Sequence, residues 1–289
     1  MRPDEVSRVS RLELRARKVV EGFVSGLHRS PYFGQSIEFV QHREYVPGDD
    51  IRRIDWKVWS RTDRYYLKQY EEDTNVRVVL LVDGSESMQF GSRGVSKFEY
   101  AQTIAAALAI LVLKQNDSVG VSVFDSKVRT LIPCSGRKNQ LNVVLQGLSV
   151  ETGQGKTDMI SVLRKAAEAM AHRSIVVLIS DLFCDREALF RGLQLLRQRK
   201  HEVLIVHTLD DQEIDFEYSG TTRFEGLEDS GKLTCDPAAL RAGYRAALDS
   251  FLDTIRRRCA GSLIDYRLTR TSEHADAVLS HLLNFRIGM

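Results

Sequence analysis

The chain of 289 residues lacks the features that mark several large classes of protein. Its four cysteines lie far apart, with neither the spacing of a zinc site nor the density of a disulfide framework. The longest apolar run, from Ile104 to Leu113, is ten residues long, which is too short to cross a bilayer. The first residues carry no apolar core of a secretory signal. We therefore expect a protein of the reducing cytoplasm.

The chain also lacks an excess of one charge. Its formal net charge is +2, which gives no bulk electrostatic argument for binding nucleic acid or a membrane surface. The apolar and charged fractions, 43% and 28%, are those of an ordinary globular protein. We find no internal repeat and no low-complexity tract, and the length suffices for one large domain with an extension.

From residue 75 onwards, apolar β-branched runs alternate with helical patterns. This alternation predicts right-handed βαβ crossovers and therefore an α/β fold, with a doubly wound and mainly parallel sheet over residues 75–289. The predicted strands are 76–82, 118–124, 127–132, 174–180, 202–208 and 262–269. The predicted helices are 97–114, 138–147, 158–171, 186–199, 236–258 and 273–285.

Two further segments are expected to decorate this domain. Residues 1–74 form an N-terminal α+β extension, with a helix at 6–26 and short strands at 37–45 and 65–70. Residues 213–234 contain two turn signals and predict a small β-hairpin insertion.

Five oxygen-bearing side chains are the main functional signal. They are Asp83, Ser85, Ser87, Thr157 and Asp181. Both aspartates directly follow apolar strands, and in an open α/β sheet ligands bind at the carboxyl ends of strands. Hydroxyl and carboxylate oxygens suit a hard divalent cation, with Mg²⁺ as the first choice. The competing interpretation is that the aspartates and serines only cap helices.

These three pieces, in this order and strand context, resemble the metal-ion-dependent adhesion site of von Willebrand factor A domains. The segment EYVPGDDIRRIDW at 44–56, followed by KQYEE at 68–72, is similar to the hallmark of the bacterial domain-of-unknown-function family fifty-eight. Members of that family carry a factor A-like domain. The resemblance covers residues 25–285.

The resemblance implies a role for each of the five side chains. Ser85 and Ser87 would bind the metal directly, and Thr157 would bind it directly or through water. Asp83 and Asp181 would act mostly through bridging waters and orient the serines. The cation, Mg²⁺ or alternatively Mn²⁺ or Ca²⁺, would keep one position for a partner's Asp or Glu. The implied protein is a non-catalytic interaction module, an adaptor or co-chaperone of a MoxR-type AAA+ ATPase.

One residue departs from the family pattern. Relatives carry a small residue before the threonine, where this chain has Lys156. An ammonium there would compete with the cation, or it would help to attract the partner's acid.

Two other functions use features of the same chain. A Mg²⁺-dependent phosphoester hydrolase would use the same five residues, but it needs a general base, and Glu86 is the one candidate beside these loops. A nucleic-acid scaffold would use the basic aromatic stretch at 43–68, whose acidic residues favour a packed segment instead.

Three weaker signals carry no function. The segment 153–157, GQGKT, is similar to a phosphate-binding loop, but Val150 stands where that loop requires glycine. The histidines form no ligand pair, and we expect His42 and His207 to be packing or surface residues. No cysteine has a visible activating partner.

Overall fold

The computed structural model describes residues 3–27, 42–45, 58–59, 64–68, 76–150, 159–218, 220, 222–225 and 232–280. Thr157 and Lys156 lie outside the described residues, as does most of the segment 44–56. No helix in the described part of the chain is both long and apolar enough to cross a membrane.

A six-stranded mixed sheet forms the centre of the protein. Its strands are β3 (Arg77–Asp83), β4 (Ser118–Phe124), β5 (Val128–Ser135), β6 (Ile175–Ser180), β7 (Glu202–Leu209) and β10 (Asp265–Arg270). They are arranged in the order β10-β7-β6-β3-β4-β5. All neighbours are parallel except β5, which pairs with β4 in the antiparallel direction. The predicted α/β fold with a mainly parallel sheet is confirmed.

Helices connect these strands. They are α2 (Lys97–Lys114), α3 (Gln140–Leu148), α4 (Met159–Ala169), α5 (Arg186–Gln198), the short α6 (Asp211–Asp215) and α7 (Pro237–Gly261), and residues 275–280 are also helical. On one side of the sheet, Val79 and Leu81 pack in a core cluster with apolar residues of α4, α5 and α7. Leu80 and Val82 alternate with them and are also fully buried, and α2 contacts β3 and β4. Strands buried on both faces are typical of a covered parallel sheet.

An N-terminal helix, α1 (Pro3–Leu27), precedes the sheet. It buries Leu12, Ala16, Val20 and Phe23, which recur every three or four residues and so lie on one helical face. The chain divides into two compact units, residues 1–26 with 76–289, and residues 27–75. The helix therefore belongs to the unit that contains the sheet, whereas the prediction from the sequence groups it with the extension.

Two small antiparallel pairs complete the described strands. β1 (His42–Glu44) pairs with β2 (Tyr66–Lys68) within the unit of residues 27–75. β8 (Thr222–Glu225) pairs with β9 (Lys232–Cys235) and forms the predicted hairpin. The predicted start of the hairpin at 213 is wrong, because residues 211–215 form α6 instead. Asp210 and Glu213 cap that helix reciprocally, as in a capping box.

The last strand also starts later than the sequence predicts. Leu263 has a positive φ of 53°, and the Ile264 amide donates to the Cys259 carbonyl at 3.0 Å. The chain is thus still closing the end of α7 at residues 262–264, so β10 begins only at Asp265.

Candidate functional site

Asp83, the last residue of β3, is the buried anchor of the site. Its Oδ1 accepts a hydrogen bond from the Ser85 amide at 2.9 Å, and its Oδ2 accepts one from the Ser180 hydroxyl at 2.6 Å. The side chain is 2% exposed. Burial, and then the nearby charge of Asp181, raise the pKa of this carboxyl to about 7. The group therefore titrates near neutral pH unless a cation lies beside it.

The two predicted serines lie together directly after this aspartate. Ser85 is buried and Ser87 is half-buried, and their hydroxyl oxygens are 3.1 Å apart. Ser87 lies in a 3₁₀ helix, Glu86–Gln89, which directly follows Ser85. The side chain of Met88 is completely buried and fixes this turn. The Gly84 amide also donates to the Phe124 carbonyl of the neighbouring strand at 2.6 Å. The turn that presents the hydroxyls is thus held to the core at both ends.

Asp181 follows β6, which is the neighbour of β3 in the sheet. Its Oδ1 accepts the Phe183 amide at 3.2 Å, and its Oδ2 accepts the Lys97 ammonium at 2.7 Å. The same ammonium donates to Glu213 Oε1 at 2.6 Å. Asp181 is 1% exposed and the Lys97 side chain 0%, so this ion pair is buried.

The Lys97 cluster holds two further shifted groups. Burial lowers the pKa of Lys97, but the charges of Asp181 and Glu213 outweigh it, so that the pKa is raised overall and the ammonium stays charged. Burial also raises the pKa of Glu213, although Lys97 opposes that change. Two carboxylates thus keep the buried lysine charged. The three side chains together form a compact ion cluster beside the predicted site.

His207 supports the loop of Asp181 from the next strand. One ring nitrogen, Nε2, lies 2.8 Å from the Asp181 carbonyl oxygen, which can only accept, so Nε2 carries the proton. The other nitrogen, Nδ1, then accepts from the Tyr266 hydroxyl at 2.7 Å. Burial lowers the pKa of His207 to about 4, so the ring is neutral. The expectation of a packing histidine is confirmed, with an added role in positioning the loop.

Leu182 adopts a backbone conformation that is unusual for a branched side chain, with φ of 57°. It is fully buried, and its amide donates to the Ser180 hydroxyl at 2.9 Å. This turn directs the chain away from the sheet immediately after Asp181. A strained residue that the core holds in place is a common companion of functional sites.

The structure therefore brings four of the five predicted residues to one edge of the sheet, namely Asp83, Ser85, Ser87 and Asp181. The fifth, Thr157, cannot be placed because it lies outside the described residues. Lys156 lies there too, while a different ammonium, that of Lys97, contacts Asp181.

The sequence interpretation misses Lys97, Glu213 and His207 as neighbours of the site. Lys97 had a usable signal in the sequence, because it is the first residue of a largely apolar helix. Glu213 had none, since it lies 116 residues further along the chain and reaches the ammonium only through the fold.

The hydroxyl pair fits a divalent cation. Two oxygens that occupy adjacent positions around an octahedral Mg²⁺ at about 2.1 Å are separated by about 3.0 Å, close to the Ser85–Ser87 separation. Within the described part of the chain, no three His, Cys, Asp or Glu side chains are grouped as a metal site. A cation held by the two hydroxyls would have Asp83 behind them, where Ser180 donates to its carboxylate.

Residues 41–251 match the model of a protein family described as protein of unknown function DUF58. The chain belongs to DUF58. An uncharacterised protein of Mycobacterium tuberculosis is 29% identical over 269 residues, which cover 90% of this chain and 83% of the relative. An uncharacterised protein of Mycobacterium bovis gives the same values.

Two solved structures align with this DUF58 member. The conserved hypothetical protein BatB from Bacteroides thetaiotaomicron aligns with a TM-score of 0.50 and 16% identity, over 74% of this chain and 100% of BatB. An aerotolerance-related membrane protein from Bacteroides fragilis aligns with a TM-score of 0.49 and 15% identity, over 74% and 100%. The likeness to BatB supports the α/β fold expected from the sequence.

Proposed function

We propose that this DUF58 protein is a protein-interaction module that binds a partner's carboxylate through a divalent cation. Ser85 and Ser87 would hold the cation directly, while Asp83 and Asp181 would contribute charge and orient the serines and bound waters. Thr157 would complete the set. The cation would be Mg²⁺, with Mn²⁺ or Ca²⁺ as substitutes.

The observation that carries this proposal is the fixed pair of serine hydroxyls beside Asp83. Their oxygens lie 3.1 Å apart, and the turn that bears them is anchored by the buried Met88. Little reorganisation is therefore needed for two adjacent ligands to bind one ion. Because hydroxyls are neutral, the ion would keep most of its charge and favour an acidic group from outside.

The partner that we propose is a MoxR-type AAA+ ATPase, for which this chain would act as an adaptor or co-chaperone. The support is the resemblance of the segment 44–56 to the family hallmark, together with the membership of DUF58. The ATPase would present an Asp or Glu side chain to the cation. The cytoplasm, where such a partner would be found, remains our expectation for location.

A hydrolase would need a base that takes a proton from water, and two of the groups near the site, His207 and Asp181, are already engaged. Both ring nitrogens of His207 have partners, and Asp181 is held by Lys97. We therefore propose a non-catalytic role. A steep salt dependence of DNA or RNA binding would point instead to a nucleic-acid scaffold.

Two measurements test the proposal. Calorimetric titration with Mg²⁺ and Mn²⁺ should give a one-site isotherm for the wild type, and Ser87→Ala should bind at least about tenfold more weakly, since one direct ligand is lost. Ser126→Ala is the matched control, because Ser126 lies in the exposed turn after the neighbouring strand and its hydroxyl faces Asp125.

The second measurement is capture of partners from native extract, with Mg²⁺ or with a chelator. We expect an AAA+ ATPase to be captured by the wild type and by Ser126→Ala in Mg²⁺, and to be lost with Ser87→Ala or chelator. Equal capture by Ser87→Ala would exclude the metal-bridged mechanism. Loss of a phosphatase activity in Ser87→Ala would favour the hydrolase instead.

A further inference from the structure

Lys97 is a buried cation beside the proposed metal site. It is the first residue of α2, and its side chain is 0% exposed. Its ammonium donates to Asp181 and Glu213 at 2.7 and 2.6 Å, and it lies 5.0 Å from the centre of the Phe183 ring. The ammonium is thus surrounded by two acids and an aromatic face.

Helix preference does not account for a lysine at this position. The N-terminus of a helix carries a partial positive charge, so a cation in the first turn is unfavourable, and a buried ammonium also loses its hydration. The nearby Ser96 already caps the helix by accepting the Glu99 amide at 3.1 Å. The two carboxylates are therefore the physical reason that the charge is tolerated here.

The contact to Asp181 matters because that carboxylate belongs to the proposed metal site. Its Oδ2 is taken by the ammonium and its Oδ1 by the Phe183 amide. The ammonium faces two carboxylates, those of Asp181 and Glu213, so one negative charge of this cluster is left uncompensated. Without Lys97 both carboxylates would be uncompensated.

We propose that Lys97 is a resident cation that neutralises Asp181 and so lowers the affinity of the site for a divalent metal. This inference rests on the metal site proposed above, and it adds what limits the affinity of that site for the metal. The ammonium does part of the charge compensation that a metal would otherwise do. A metal therefore gains less from entering the wild-type site than from entering a site without the ammonium.

The test compares Lys97→Met with Lys114→Met by calorimetry and by thermal unfolding, in Mg²⁺, in Mn²⁺ and in chelator. Lys114 is the matched control, since it lies at the exposed C-terminal end of the same helix and its loss changes the net charge equally. We expect Lys97→Met to bind Mg²⁺ about tenfold more tightly than the wild type, or more, because a unit charge a few ångströms away is removed.

The same variant should be less stable in chelator, because the buried Asp181 and the half-buried Glu213 lose their partner. Mg²⁺ should restore its unfolding temperature by more than it raises that of the wild type. Lys114→Met should match the wild type in both measurements.

A second background keeps the test valid if Lys97→Met does not fold. The double variant with Glu213→Gln removes one acid along with the ammonium, so the cluster keeps its original excess charge while Asp181 is freed. Its affinity should exceed that of Glu213→Gln alone.

The outcomes separate the two proposals. If the wild type binds metal and both Lys97→Met backgrounds bind equally or more weakly, the role of Lys97 is excluded while the metal site stands. If neither the wild type nor any variant binds Mg²⁺ or Mn²⁺, the metal site fails and the role of Lys97 fails with it. If only the Lys97→Met variants bind, the ammonium takes the place of the metal altogether.

Discussion

Asp83 combines two demands that oppose each other. As a site residue it should be ionised, but it is 2% exposed and close to Asp181, so burial and charge favour its neutral form. The Ser85 amide and Ser180 hydroxyl only partly offset this cost. A divalent cation would supply the missing positive charge. The site residue is therefore a source of instability when no metal is bound.

This instability has a defined pH dependence. The pKa of Asp83 is about 7 in the folded protein, whereas that of an ordinary aspartate is 3.8, so the folded state holds the extra proton between these values. Stability from this group is full below about pH 4 and is lost as the pH rises towards 7, by roughly a few kcal/mol in all. We predict that Asp83→Asn is more stable than the wild type at about pH 8. This advantage should be much smaller at about pH 4, where Asp83 of the wild type is protonated.

Urea denaturation in chelator at several pH values measures this difference. Asp249→Asn, which removes an exposed carboxylate of α7, controls for the general loss of one charge. A stability difference between Asp83→Asn and the wild type that does not change with pH would contradict the prediction.

At the scale of elements, α4 and α5 pack unusually closely. Gly192 of α5 faces Leu163 of α4, and a methyl group at position 192 would lie 2.6 Å from Leu163 Cδ1 and 2.9 Å from its Cβ. Gly243 of α7 is also helical, but among the described residues no atom beyond its own helical turn lies within 4 Å of a methyl group there. The two glycines thus differ in packing and share a helical backbone.

We predict opposite effects for alanine at these positions. Gly243→Ala should stabilise the protein by up to about 1 kcal/mol, because alanine favours the helix. Gly192→Ala should destabilise it by about 1–2 kcal/mol, since the cost of overpacking exceeds the same helical gain. Chemical denaturation of both variants measures the difference. Equal effects would mean that α4 and α5 can separate without cost.

The loops at the carboxyl edge of the sheet depend on one helix cap. Asp210 is fully buried and accepts hydrogen bonds from the Gln212 amide, the Ser92 amide and the Thr271 hydroxyl, at 2.9, 3.1 and 2.9 Å. It therefore joins the loops that follow β3, β7 and β10. Asp236, by contrast, caps α7 from an exposed position, where its side chain accepts the Ala238 amide at 3.0 Å.

We predict that Asp210→Ala is far more destabilising than Asp236→Ala. The exposed cap should cost about 1 kcal/mol, whereas the buried one should cost about 3 kcal/mol or more, since three donors lose their acceptor. Comparison of the two unfolding free energies checks this. If the costs are similar, Asp210 acts only as a cap and does not hold the loops together.

The sequence predicts most of the sheet because its strands are continuous apolar runs, as with Val78 to Val82, and such runs depend on local composition alone. It also predicts Asp83, Ser85, Ser87 and Asp181, since each follows a strand or lies in its turn. It does not predict α6, whose capping box competes with the turn signals further along. Nor does it predict the Lys97–Glu213 contact, because a single long-range ion pair leaves no local pattern.

At the scale of the whole molecule, both tryptophans lie in the unit of residues 27–75, while the proposed metal ligands lie in the other unit. Tryptophan fluorescence therefore reports on the unit of residues 27–75, and far-UV circular dichroism reports mainly on the unit that contains the sheet. Proteins with two units often unfold in more than one step.

We predict that Mg²⁺ shifts only the transition seen by circular dichroism. At a metal concentration about a hundredfold above the dissociation constant, the stabilisation should be about 2.7 kcal/mol for the unit that binds it. Urea titrations followed by both signals, with Mg²⁺ and with chelator, measure this. Equal shifts of both transitions would show instead that the two units unfold as one.

The antiparallel edge strand β5 has a consequence for self-association. Its side chains alternate between half-buried and exposed, and Leu131 is 53% exposed, which would suit pairing with a strand of another molecule. Pro133 lacks an amide to donate, and the pairing with β4 shifts register twice. Both features bend and interrupt the ladder at this edge, so they protect a concentrated solution of the protein against aggregation by strand addition to β5.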